Sequence, residues 1–104
     1  MAVNTQATRQ SSTKIKPPKR YKVIIYNDDF TTMEFVVELL MEVFHKTEEE
    51  ALNIMMAIHR GTKAVVGVYS LDIAKTKASR AVSMARQEGF PLRVEVEPES
   101  PSSF

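Results

Sequence analysis

The chain has 104 residues, 43% of them apolar, and a formal net charge of +1. That length leaves room for one domain with a core large enough to fold without staples. Cysteine is absent, which excludes disulfides, thiolate nucleophiles and Cys-based zinc sites and fits a reducing compartment. No apolar run approaches the roughly 18 residues of a membrane span, and no apolar stretch behind a basic start suggests a secretory signal. A soluble, cytoplasmic protein without membrane contact is expected.

The charge is unevenly distributed. Residues 1–20 hold Arg9, Lys14, Lys16, Lys19 and Arg20 and no acid, which leaves the remainder at about −4. A mildly acidic globular part is a poor platform for nucleic acid, since phosphate binding depends on clustered Lys and Arg. The first 20 residues are mostly polar and end near Pro17-Pro18. Such a stretch cannot bury enough surface to offset its ordering entropy, so it reads as a disordered N-terminal arm.

Tyr21 to Tyr26 is rich in β-branched and aromatic residues and reads as a strand closed by the turn-forming Asn27-Asp28-Asp29. Thr31 stands three residues before Glu34, the spacing of a capping box, and a largely buried helix is expected through Val36, Val37, Leu39, Leu40, Val43 and Phe44. Thr47 and Glu50 repeat that spacing before a second helix, Ala51 to Arg60, which Gly61 can stop in the left-handed conformation. Ala64 to Tyr69 reads as a second strand in which Gly67 marks a bulge or a close backbone approach. Ser70 can cap a third helix, Leu71 to Glu88, with Ile73, Ala74, Ala78, Ala81, Val82 and Ala85 facing a sheet. Leu92, Val94 and Val96 alternate with Arg93, Glu95 and Glu97 in a last strand with one wet face.

The order βααβαβ predicts an α+β fold: a single small domain with a three-stranded antiparallel sheet and helices packed on one face. The core should span residues 21–97, with residues 98–104 a frayed tail. No P-loop, G-x-G-x-x-G, H-E-x-x-H or G-x-S-x-G motif occurs, so no familiar enzyme class is indicated. His45 reads as a surface residue near a helix end. His59 is either a helix-terminal cation or a group folded back toward the Asn27-Asp28-Asp29 turn. Met33, Met55, Met56 and Met84 suit either a core or a pocket that accepts several bulky side chains.

The segment Asn27-Asp28-Asp29-Phe30-Thr31-Thr32-Met33-Glu34-Phe35-Val36 resembles the signature of the ClpS adaptor family, N-D-D-(Y/F)-T-P-M-E-F-V. Met55-Met56-Ala57-Ile58-His59, Lys63 to Tyr69, Ala74-Lys75-Thr76-Lys77 and Pro91-Leu92 follow in family order and spacing. The resemblance covers about residues 20 to 97. It implies an adaptor with no catalytic residues, cofactor or metal, which binds N-degron proteins beginning with Leu, Phe, Tyr or Trp. The partner it implies is a ClpA-type AAA+ unfoldase, met through its N-terminal domain and feeding the ClpAP protease.

Asn27, Asp28 and His59 match the family's positions for the substrate α-amine. Thr31, Met33, Val36, Met55, Ile58 and Leu92 match its side-chain pocket, and Asp72 and Lys77 its unfoldase-docking face. The chain departs from the pattern at Thr32, where the family has proline, at Lys75, where it has glutamate, and at Asp72, where glutamate is common. Two other readings are a non-degron interaction module resembling the C-terminal domain of the ribosomal stalk protein, and a metal-dependent hydrolase using Asp28, Asp29 and His59.

Overall fold

The computed structural model describes residues 19–99. Residues 1–18 of the expected N-terminal arm and 100–104 of the expected tail lie outside the described residues. The elements follow the expected order: β1 (Tyr21–Tyr26), α1 (Met33–Phe44), α2 (Glu48–Arg60), β2 (Lys63–Tyr69), α3 (Leu71–Gln87) and β3 (Arg93–Pro98). The strands form a three-stranded antiparallel sheet in the order β2-β1-β3.

Alternation on β1 sends Val23 and Ile25 into the core, both fully buried, where they meet Leu39, Leu40 and Val43 of α1 and Ala74, Ala78, Ala81 and Ala85 of α3. The alanine stripe lets α3 lie close against the sheet. Ile73, expected in that stripe, is instead 50% exposed and Val82 is half-buried. Position 73 lies one step off the 74-78-81-85 row, and at 100° per residue that step carries its side chain toward solvent.

Three ends differ from the sequence reading. Thr32, not Thr31, is the N-cap of α1, its hydroxyl accepting from Phe35 N–H at 3.2 Å. Thr32 is thus the cap itself, and Thr31 is engaged in the preceding turn. Gly61 ends α2 with extended backbone (φ −97°, ψ −159°), while left-handed residues occur at His45 and Gly89. β3 pairs through Pro98, opposite Tyr21, and Glu99 N–H donates to Arg20 C=O at 2.8 Å. The α2 capping box forms as the spacing indicates, with Thr47 and Glu50 exchanging bonds of 2.9 and 3.1 Å.

Of the two alternatives at Gly67, the bulge forms, one residue before it, and the close approach is made by a side chain rather than by backbone. The register slips between Val23 and Ile24, which leaves Val66 as the extra residue of a bulge, 2% exposed in the core. A side chain at Gly67 would collide with the ring of Tyr69, two positions along on the same face. That ring in turn lies under the Lys77 ammonium, 5.4 Å from its centroid, and the same ammonium approaches Phe44 at 6.0 Å and donates to Val43 C=O at 2.9 Å. Lys77 thus satisfies a carbonyl left open at the C-terminal end of α1 and ties α1, β2 and α3 together.

Replacing the ammonium while keeping most of the stem, Lys77→Met, should cost about 1–2 kcal/mol through the orphaned carbonyl and lost cation–π contacts. In a domain of this size that corresponds to a melting midpoint lower by roughly 5 °C or more. A differential scanning measurement checks it; an unchanged midpoint would show that the clamp contributes nothing.

Candidate functional site

The site grows from the end of β1. Tyr26 pairs with Lys63, and the next backbone N–H, that of Asn27, donates to Thr62 C=O at 2.9 Å. This bond holds the chain leaving β1 beside the loop that follows α2, so the turn 27–31 and the last turn of α2 face one another. His59 is brought to the same cleft as Asn27 and Asp28, as the second of the two readings of this histidine required.

Asp28 organises the turn. Its Oδ1 accepts from the backbone N–H of Phe30 and of Thr31, both at 2.8 Å, and its Oδ2 accepts from the Thr31 hydroxyl at 2.7 Å. Partial burial pushes the Asp28 carboxyl upward, but the Thr31 N–H, the Thr31 hydroxyl and the Phe30 N–H, with the positive Arg86 nearby, outweigh it. The net effect holds the group below the ordinary carboxylate value, and it stays ionised. Three of its roughly four acceptor directions are used, which leaves one on Oδ2. Arg86 is itself fixed by donating to the carbonyls of Phe90 and Leu92 at 2.7 and 3.2 Å.

Between the turn and the helices lies a concavity of about 370 Å³, within the usual size of a small-ligand site. Asn27, Asp28, Thr31, Met33, Val36, Met55, Ile58 and His59 all line it. Val36, Met55 and Ile58 are 6%, 8% and 3% exposed and form an apolar floor, whereas Met33, at 41%, stands at the rim. Leu92, expected in the pocket, does not line it. The residue is 1% exposed within the core, and its backbone carbonyl accepts from Arg86.

Asp29, given a chemical role only in the hydrolase reading, and Phe30 and Thr32, assigned to neither the amine nor the side-chain pocket, also line the concavity. The one signal available was Phe30, a large aromatic in a polar turn with no helical or strand periodicity to bury it; it is 73% exposed. The expected docking residues lie elsewhere, on α3. Asp72 is exposed and, with Ile73, Thr76, Lys77 and Arg80, lines a shallow hollow of about 240 Å³. Lys77 is half-buried there with its ammonium turned to Val43.

Chemically, the concavity combines an apolar floor with a fixed negative charge, an amide and an imidazole on one side. Among the described residues no group of three or more His, Cys, Asp or Glu side chains is arranged to hold a metal ion. No described helix is long and apolar enough to cross a membrane.

Comparison with known proteins gives concordant results. Residues 16–95 match the family model of the ATP-dependent Clp protease adaptor protein ClpS. The ClpS adapter protein of Acetivibrio thermocellus is 48% identical over 99 residues, covering 95% of this chain and 100% of that protein. The ClpS adapter protein of Nautilia profundicola is 46% identical over 93 residues, covering 89% of this chain and 96% of its own length. Among solved structures, Agrobacterium tumefaciens ClpS2 bound to L-phenylalaninamide superposes with a TM-score of 0.77 at 46% identity, over 80% of this chain and 100% of that one. On a family match that spans most of the sequence and relatives matched over nearly their whole length, the chain belongs to the ClpS family of Clp protease adaptors and is itself an adaptor rather than a protease.

Proposed function

We propose that the concavity captures the first residue of proteins beginning with Leu, Phe, Tyr or Trp, and that the chain hands them to a ClpA-type unfoldase for degradation by ClpAP. The observation that carries this reading is the pairing of an apolar floor (Val36, Met55, Ile58) with the ionised Asp28 in one concavity. A free α-ammonium leaving water requires several acceptors. The remaining Oδ2 direction of Asp28, the Asn27 side-chain oxygen and a neutral ring nitrogen of His59 supply a suitable set, directly or through a water. L-phenylalaninamide, bound by the Agrobacterium relative, carries a free α-amine and a benzyl side chain, the two features this concavity suits.

Delivery rests on the α3 face. Asp72, Thr76 and Arg80 surround the exposed Ile73, and this mixture of one apolar centre and a polar rim suits a transient docking surface. Lys77 contributes to that face through its stem and the helix packing it secures.

The test is a calorimetric panel over peptides that differ only in their first residue. Leu, Phe, Tyr and Trp should bind roughly tenfold or more tightly than Ile and Val, whose second substituent on Cβ meets Met33 at the rim. Met33→Ala should narrow the gap. In a reconstituted degradation assay Asp72→Lys should abolish the chain's stimulation while peptide affinity is retained. Equal affinity for every first residue would refute the reading.

Asp28 links binding to acid stability. Its folded-state pKa is depressed, so its contribution to stability is fully present above the unfolded carboxylate value and is lost as pH falls through the lower folded value. Asp28→Asn should therefore be less stable than the wild type by a constant amount from pH 7 to about 5, and the difference should shrink below about pH 4. Urea titrations across this range decide it; a gap that widens on acidification would contradict the assigned direction.

A further inference from the structure

Beside the first concavity lies a second hollow of about 410 Å³ between α1 and α2, lined by Met33, Glu34, Val37, Leu52 and Met55. Met33 and Met55 belong to both, so the two hollows share a wall of flexible thioether side chains. The surface around the second one is unusually apolar for exposed helix. Met33, Met41 and Leu52 are 41%, 40% and 44% exposed, and Met33, Val37 and Met41 recur every fourth residue along one face of α1. Exposed apolar side chains grouped around a hollow, rather than scattered singly, are the kind of surface used for contact.

We propose that this hollow is a subsite for the second and third residues of the captured N-terminal chain, preferring apolar side chains there. The inference rests on the capture reading above. Three observations favour that occupant.

The hollow adjoins the capture concavity across Met33 and Met55, which line both, so a chain whose first side chain fills one can pass over that shared wall into the other. The stripe from Met33 to Met41 is about 12 Å long, which an extended chain leaving the first site covers in about three to four residues. Its lining is apolar except for Glu34, so peptide side chains are received by shape-tolerant Met, Val and Leu surface rather than by directional polar groups. An apolar preference without a strict identity follows, since methionine and leucine can rearrange around several side-chain shapes.

Leu52 is the residue that separates the two sites experimentally, because it lines the second hollow and not the first. It is exposed enough that replacement should leave the fold intact. The experiment measures affinities of L-phenylalaninamide and of Phe-initiated peptides carrying Leu-Leu or Ser-Ser at positions two and three, on the wild type, Leu52→Ser and Leu52→Met. On the wild type the Leu-Leu peptide should bind roughly three- to tenfold more tightly than the Ser-Ser peptide. Leu52→Ser should remove most of that preference while leaving L-phenylalaninamide unchanged, and Leu52→Met should keep it.

A preference that survives Leu52→Ser, or no preference on the wild type although L-phenylalaninamide binds, would overturn the subsite alone. Failure of L-phenylalaninamide to bind the wild type would overturn the capture reading and the subsite with it. A concentration-dependent dimer of the free protein that Leu52→Ser abolishes would assign the hollow to a second copy and overturn the proposal.

Discussion

The site depends on one carboxylate. Asp28 gathers two backbone N–H groups and a hydroxyl within the four residues from Asp28 to Thr31, and so closes a turn that neither strand nor helix pairing would hold. Without those bonds the donors of residues 30 and 31 would need water, and the lip of the concavity would lose its shape. The same bonds offset the desolvation that would otherwise favour the neutral acid. Structure and electrostatics therefore have a single origin: the interactions that shape the turn also keep a negative charge beside the cleft.

The remaining elements position the partners of that charge. The bond from Asn27 N–H to Thr62 C=O joins the end of β1 to the loop after α2, and this sets His59, Met55 and Ile58 opposite Asp28. The floor residues Val36, Met55 and Ile58 share one buried core with the α3 alanines and Leu92, and close-packed interiors of this kind resist displacement. At the far end of α1, Lys77 secures Val43 and stacks over Tyr69, whose ring has space because residue 67 is glycine. The helix that supplies Met33 and Val36 to the cleft is thus held at both ends, by Thr32 at its start and Lys77 at its finish.

Much of this was legible in the sequence, and the parts that were not share a cause. Composition, cap spacing and periodicity together reveal βααβαβ: β-branched residues mark the first strand, cap spacings the first two helices, and the alternation in Leu92 to Glu97 and the alanine spacing of α3 each report a face turned to a core. The Thr47–Glu50 box could be read because both partners lie within one helical turn. The Thr31–Glu34 spacing misled, since two adjacent threonines can each cap and only the demand of Asp28 decides which is free to do so. The residues expected in a side-chain pocket came from motif resemblance, and all of them except Leu92 line one concavity. Leu92 differs from the rest because a buried apolar side chain reads the same from sequence whether it lies on the surface of a floor or one layer beneath it. Lys77 was legible as a cation but not as an internal clamp, because its partners Val43 and Tyr69 come from other elements.

The central claim is that the charged first amine of a protein chain is what Asp28 and its neighbours hold. Isothermal titration of the full chain with L-phenylalaninamide and with N-acetyl-L-phenylalaninamide tests it directly, because the two differ only in whether that amine is free and charged. The account predicts saturable binding of the first and at least roughly hundredfold weaker binding of the second, as expected when charge-assisted bonds in a partly dry site are lost. Equal affinity for both would contradict it, since the apolar floor alone would then account for recognition.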